Sequence, residues 1–205
     1  LEMIRVICVC TGTKYDEWYV DNLKHMIDTY SGIKYDKFEV MRENRYDDER
    51  GVFNKLLIFE KFKDGQNIYF DLDILIKGDV NNFLRKDFTL CSAWWRPEYH
   101  TPLNSSIMSW QGDNSWIHDE FMKDPEYNLF KYRRGMDQFI YENIKDYKLY
   151  EESDGFCSIQ TINYEYDYDI YLFNQRGEDM KKKQLLTANN KFEKPWYEKY
   201  FKSNI

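Results

Sequence analysis

Residues 68–80, IYFDLDILIKGDV, set two carboxylates, Asp71 and Asp73, inside an apolar run that otherwise reads as a buried strand from Ile68 to Ile76. An unpaired ionised carboxylate in a dry interior is so costly that it protonates or acquires a partner. Any fold that accepts this stretch must therefore bring a partner to the pair.

The rest of the chain is equipped to build such a fold. Its 205 residues suit one domain with a proper core, and 42% hydrophobic and 19% aromatic residues argue against disorder despite 32% charged residues. A formal net charge of −7 argues against a polyanion as the main partner, because nucleic-acid binding leans on a basic surface; a local basic pocket for one small anion stays open. Cys8, Cys10, Cys91 and Cys157 are scattered without CxxC pairs, which fits free thiols in a reducing compartment. No apolar stretch reaches the roughly 20 residues of a membrane span, and no basic region followed by a signal-type apolar core opens the chain, so the expectation is a soluble, cytoplasmic protein. Leu1 and Glu2, ahead of Met3, read as a remnant of expression, and the domain is taken as residues 3–205.

Ile4 to Cys10 is a short β-branched run that breaks into Thr11-Gly12-Thr13. Val20, Leu23, Met26, Ile27 and Tyr30 then recur at helical spacing, with Gly32 as a stop. Strand, glycine-bearing loop and helix open an α/β nucleotide-binding unit. A second strand is expected at 38–42, a helix at 52–63 closed by Asp64-Gly65, and then 68–76 as an interior strand. Further strands are expected at 88–95, 104–110 and 169–173, and helices at 114–122 and 135–146. The charged, aromatic-rich tail, 178–205, is expected to dock back through Phe192, Trp196, Tyr197 and Phe201. Neither repeats nor a second-domain boundary are visible.

Side chains at i and i+2 of an extended segment face the same way, so Asp71 and Asp73 project together and Leu72 projects opposite. Two oxygen donors on one side favour a hard divalent cation, Mg²⁺ or Mn²⁺. Such an ion holds a diphosphate and neutralises the charge that develops as the bond to it breaks. A rival with the same letters is the haloacid-dehalogenase-type phosphatase, with Asp71 as nucleophile and Asp73 as acid/base. In that family the motif ends the first core strand, whereas here a strand–helix unit precedes it and Leu75 stands at the Thr/Val position.

GVFNKLLIFEKF (51–62) followed by IYFDLDILIKGDVNNFL (68–84) resembles the lysine-bearing helix and DxD strand of GT-A glycosyltransferases, especially the glycogenin and galactinol-synthase-like family and its small bacterial and phage-type relatives. In the same order, LNSSIMSW (103–110) is similar to the family's N-S-x-x-M-x-W strand, GMDQFIYE (135–142) to its D-Q helix start, and DIYLFNQRG (169–177) to its late strand. The blocks span most of residues 4–177.

The resemblance implies a Rossmann-like α/β domain with a mixed, mainly parallel sheet flanked by helices. The implied activity is hexosyltransferase-like, with a UDP- or GDP-linked sugar donor, a hydroxyl acceptor and Mn²⁺ or Mg²⁺. Thr11, Gly12 and Tyr15 would line the nucleotide pocket, Lys55 would approach the nucleotide sugar, and Asp71 and Asp73 would hold ribose and metal. Asn104, Ser105, Asp137 and Gln138 would lie on the sugar and acceptor side, the last two as the catalytic pair. Asp137 also has a purely structural reading, as a cap of its helix. The family places a metal-binding histidine where this chain has Asn174, a neutral amide oxygen, so the metal would lean more on the diphosphate's own oxygens; Arg176 would pair that diphosphate. A non-catalytic nucleotide-sugar or glycan-binding module of the same fold is the alternative of a different class.

Overall fold

The computed structural model describes residues 2–46, 52–162, 166–173 and Lys182. Strand β1 (Ile4–Val9) leads through the Thr11–Tyr15 loop into helix α1 (Glu17–Tyr30). Asp16 starts that helix by accepting a hydrogen bond from the Trp18 N–H at 3.1 Å, and Val20, Leu23, Met26 and Ile27 form its buried stripe. Strand β2 (Lys37–Met41) returns parallel to β1. A 3-10 turn (Val52–Leu56) runs into helix α2 (Leu57–Lys61) and then β3 (Gln66–Phe70), which pairs parallel with the other side of β1. Gly65 makes this entry possible: its φ is +69°, and a Cβ there would stand 2.6 Å from the Met3 carbonyl oxygen.

The short strand β4 (Ile74–Ile76) leaves this sheet, and β5 (Thr89–Ser92), β6 (Leu103–Gln111) and β7 (Lys148–Tyr150) complete it in the order β2-β1-β3-β6-β5-β7. The pairs β1–β2, β1–β3 and β5–β7 are parallel, whereas β3–β6 and β5–β6 are antiparallel. The sheet is thus mixed and mainly parallel, with helices on its faces. Strands β8 (Phe156–Ser158) and β9 (Ile170–Leu172) form a second, three-stranded sheet with β4, in the order β4-β9-β8.

Period-two alternation divides the core. Val6, Cys8, Ile68 and Phe70 face α1 and the small sheet. Ile7, Tyr69, Met108 and Trp110 face α2 and the helices α3 (Trp116–Phe121) and α5 (Met136–Asn143). All four cysteines carry free thiols, and burial pushes the Cys8 thiol up to about 12, so it packs as a neutral group.

Several sequence expectations need correction. The run 68–76 is two strands in two sheets, broken at 71–73. The expected helix at 52–63 is half 3-10 turn. The strand expected at 88–95 ends at Ser92, after a register shift between Leu90 and Cys91, and the next residues turn through an Arg96 N–H bond to the Ala93 carbonyl. Helix α4 (Pro125–Lys131) lies where no element was expected. Of the tail, Lys182 alone is described: its ammonium donates to Asp16 Oδ2 at 2.8 Å and sits over the Trp18 ring. Phe192, Trp196, Tyr197 and Phe201 lie outside the described residues. No described helix is long and apolar enough to cross a membrane.

Candidate functional site

Asp71-Leu72-Asp73 is the junction between the two sheets. The Asp71 N–H still donates to the Ser106 carbonyl of β6, at 2.8 Å, while the Asp73 carbonyl already accepts from Phe173 N–H, just past β9, at 3.0 Å. Leu72 is buried in the core. Both carboxylates border one cleft of about 130 Å³, together with Thr11, Lys14, Tyr15 and Lys55. The polar pair is thus carried at the rim where one backbone ladder stops and the next begins.

Asp71 finds its partner in Lys55, whose ammonium lies 2.5 Å from Asp71 Oδ1. The Tyr69 hydroxyl donates to the same oxygen at 2.5 Å. Burial raises the Asp71 carboxyl, but Lys55, followed by the Tyr69 and Ser106 hydrogen bonds, outweighs burial and holds it below the usual carboxylate range. Burial likewise works against the charged form of Lys55. The carboxylates of Asp71, Asp137 and Asp73 overcome that and raise its pKa. Burial, reinforced by the Asp71 charge, raises the Tyr69 phenol well above its ordinary value and keeps it a proton donor. Asp73 accepts through Oδ2 from the Tyr15 hydroxyl at 2.8 Å.

A third carboxylate extends the chain of charges. Asp137, in the first turn of α5, does not cap that helix. Gly135 precedes the helix at φ +84° with no side-chain cap, and Asp137 reaches across to β6 instead. Its Oδ1 accepts from the Ser105 N–H at 3.0 Å and the Ser105 hydroxyl at 2.6 Å, and its Oδ2 accepts from Arg96 at 2.9 Å. The Lys55 ammonium lies 3.5 Å from Ser105 Oγ. Asp71, Lys55, Ser105, Asp137 and Arg96 therefore form one polar chain.

Gln138, one position on, points elsewhere. Its amide donates to Glu142 at 2.9 Å, and it borders a wider cavity of about 710 Å³ alongside Arg96, Tyr99, Arg134 and Tyr141. Asn104 is turned into its own strand, its Oδ1 accepting from the Ser106 N–H at 3.0 Å. Gly12, at φ +70°, turns the loop between Thr11 and Tyr15. Asn174 and Arg176 lie outside the described residues. His118 is buried against the Tyr46 hydroxyl at 2.6 Å, a structural setting.

Sequence reasoning missed three participants. Tyr69 was legible, since it stands two residues before Asp71 and shares its side of the strand. Lys14 lies in the loop already singled out. Arg96, in a loop without a periodic pattern, left no signal. Among the described residues no group of three His, Cys, Asp or Glu side chains gathers for a metal ion. Asp71 and Asp73 supply two hard oxygen donors, which fit Mg²⁺ or Mn²⁺ when phosphate and water oxygens complete the shell.

No protein-family model and no curated protein matches the chain. Solved structures do. A glycosyltransferase involved in glycosylation of the major capsid of PBCV-1 superposes with a TM-score of 0.69 at 13% identity, covering 90% of this chain and 99% of that one. GlyE of Streptococcus pneumoniae TIGR4 gives 0.60 at 10% identity, with 99% of this chain covering 64% of GlyE. The galactosyltransferase LgtC, solved with donor and acceptor sugar analogues, gives 0.59 at 8% identity over 89% and 95% of the two chains. The fold is that of the GT-A-like glycosyltransferases.

Proposed function

We propose that this chain is a metal-dependent glycosyltransferase that moves a sugar, hexose-like in size, from a UDP- or GDP-linked donor to a hydroxyl acceptor. The observation that carries the reading is the junction itself: two carboxylates and a lysine meet at one cleft, at the seam of the two sheets. The fold likeness supports it, and no observation supports the phosphatase alternative.

In this reading Thr11 and Tyr15 border the nucleotide, Tyr15 also orients Asp73, and Lys55 offers its ammonium to phosphate while balancing Asp71. Asp71 and Asp73 would hold Mn²⁺ or Mg²⁺, with Asn174 as a further oxygen donor; the ion would supply charge neutralisation at the leaving diphosphate. Ser105 and Asp137 fix the sugar side, and Gln138 faces the wider cavity, which has room for an acceptor. Arg176 would add a second cation for the diphosphate. Rate enhancement would come from positioning and from preorganised charge. The free thiols fit the reducing, cytoplasmic setting read from the sequence.

The test is donor hydrolysis and transfer across UDP- and GDP-hexoses with Mn²⁺. Turnover is expected, and Asp73→Ala should reduce it by about 10²-fold or more, the scale of losing a preorganised electrostatic group. Undiminished turnover in that variant would overturn the assignment. The alternative is a binding module of the same fold, motivated by Asn174 standing where the family places a metal-binding histidine. Nucleotide binding without sugar release from any donor would select that reading.

A further inference from the structure

Arg96 sits in the turn after β5, outside every sequence block that resembles the glycosyltransferases. Its guanidinium makes three directed bonds: to the Thr101 carbonyl at 3.2 Å, to the Leu103 carbonyl, and to Asp137 Oδ2 at 2.9 Å. Its backbone N–H closes the turn on the Ala93 carbonyl at 3.0 Å. The side chains of Arg96 and Asp137 are 17% and 13% exposed, so water screens the pair weakly. With Ser105 on Oδ1 and Arg96 on Oδ2, both carboxylate oxygens of Asp137 are held, one from β6 and one from the loop between β5 and β6. Arg96 also forms part of the wall of the 710 Å³ cavity.

We propose that Arg96 is a positioning residue for Asp137, an inference that rests on the glycosyltransferase reading. Its fork ties α5 to the β5–β6 loop and fixes the rotation of the Asp137 carboxylate, so that sugar hydroxyls meet oxygens already oriented. Two features of arginine suit the task. The guanidinium is planar, and it can serve two loop carbonyls and a carboxylate at once. A lysine keeps the charge but supplies a single compact ammonium and cannot reproduce that geometry.

The experiment uses the full chain with Mn²⁺ and whichever UDP- or GDP-hexose the wild type turns over. Arg96→Lys is expected to lower kcat about tenfold or more while leaving the donor KM within about twofold, the split produced when an interaction matters only in the transition state. Arg96→Lys/Asp137→Asn should be no slower than Asp137→Asn alone, since residues acting as one unit are non-additive. Thermal melting accompanies each variant; should Arg96→Lys fail to fold, Arg96→Gln replaces it under the same criteria. A kcat for the folded variant within about twofold of wild type, or a double variant in which the two losses multiply, overturns the role of Arg96 and leaves the proposed function standing. A wild type that turns over no nucleotide sugar overturns both.

Discussion

Lys55 and Asp71 hold opposite charges in a nearly enclosed space, and their titrations therefore report on folding. Asp71 is depressed in the folded state, so its contribution is present above the unfolded carboxylate value and is lost as pH falls through the lower folded one. Lys55 is raised, so its contribution is complete below the unfolded lysine value and is lost as pH climbs through the higher folded one. Stability should form a plateau between these limits. Asp71→Asn should shrink the acid limb, as read by urea unfolding across pH. Removing one partner strands the other: Lys55→Met should cost about 3–5 kcal/mol, and adding Asp71→Leu should return much of it. Equal stability of Lys55→Met and wild type would contradict the ion pair.

At the scale of elements, the three strands of the small sheet are packed tightly at one end, around Asp169. A Cβ on Gly78 would lie 1.8 Å from Asp169 Oδ1, and one on Gly155 would lie 2.9 Å from Asp169 Oδ2. The φ of Gly78 is not positive, so an alanine there meets a steric obstacle and no backbone penalty. Gly78→Ala should destabilise by about 1–3 kcal/mol through overpacking, and Asp169→Ala should relieve it in the double variant. Chemical denaturation of the three variants decides this.

Elements with strong periodicity were the legible ones: β1, α1, β6 and α5 stand near their expected positions because each buries one regular stripe. Asp71 and Asp73 were legible as charge amid apolar neighbours, and Lys55 only through the resemblance of its block, residues 51–62, to the glycosyltransferases. What escaped was set by tertiary geometry. The break at 71–73 depends on β9, roughly a hundred residues away, and strands of three residues such as β7 and β8 carry no period to detect. Helix α4 was different, since Asp124-Pro125 is an N-terminal signal and Asp124 does accept from the Tyr127 N–H at 3.2 Å.

Across the whole molecule, the large sheet separates two apolar layers that share its backbone. Phe70 belongs to one and Trp110 to the other, and both are fully buried. Phe70→Ala and Trp110→Ala should each cost about 3–5 kcal/mol. Calorimetry is expected to show each shifting the same single transition; two separate transitions would mean that the layers unfold independently. The junction adds a mechanical consequence. Asp71 hangs from the ladder of one sheet and Asp73 from that of its neighbour, so any slip between them changes the span across their oxygens. A ligand that held both acids would therefore fasten the two sheets together at their seam.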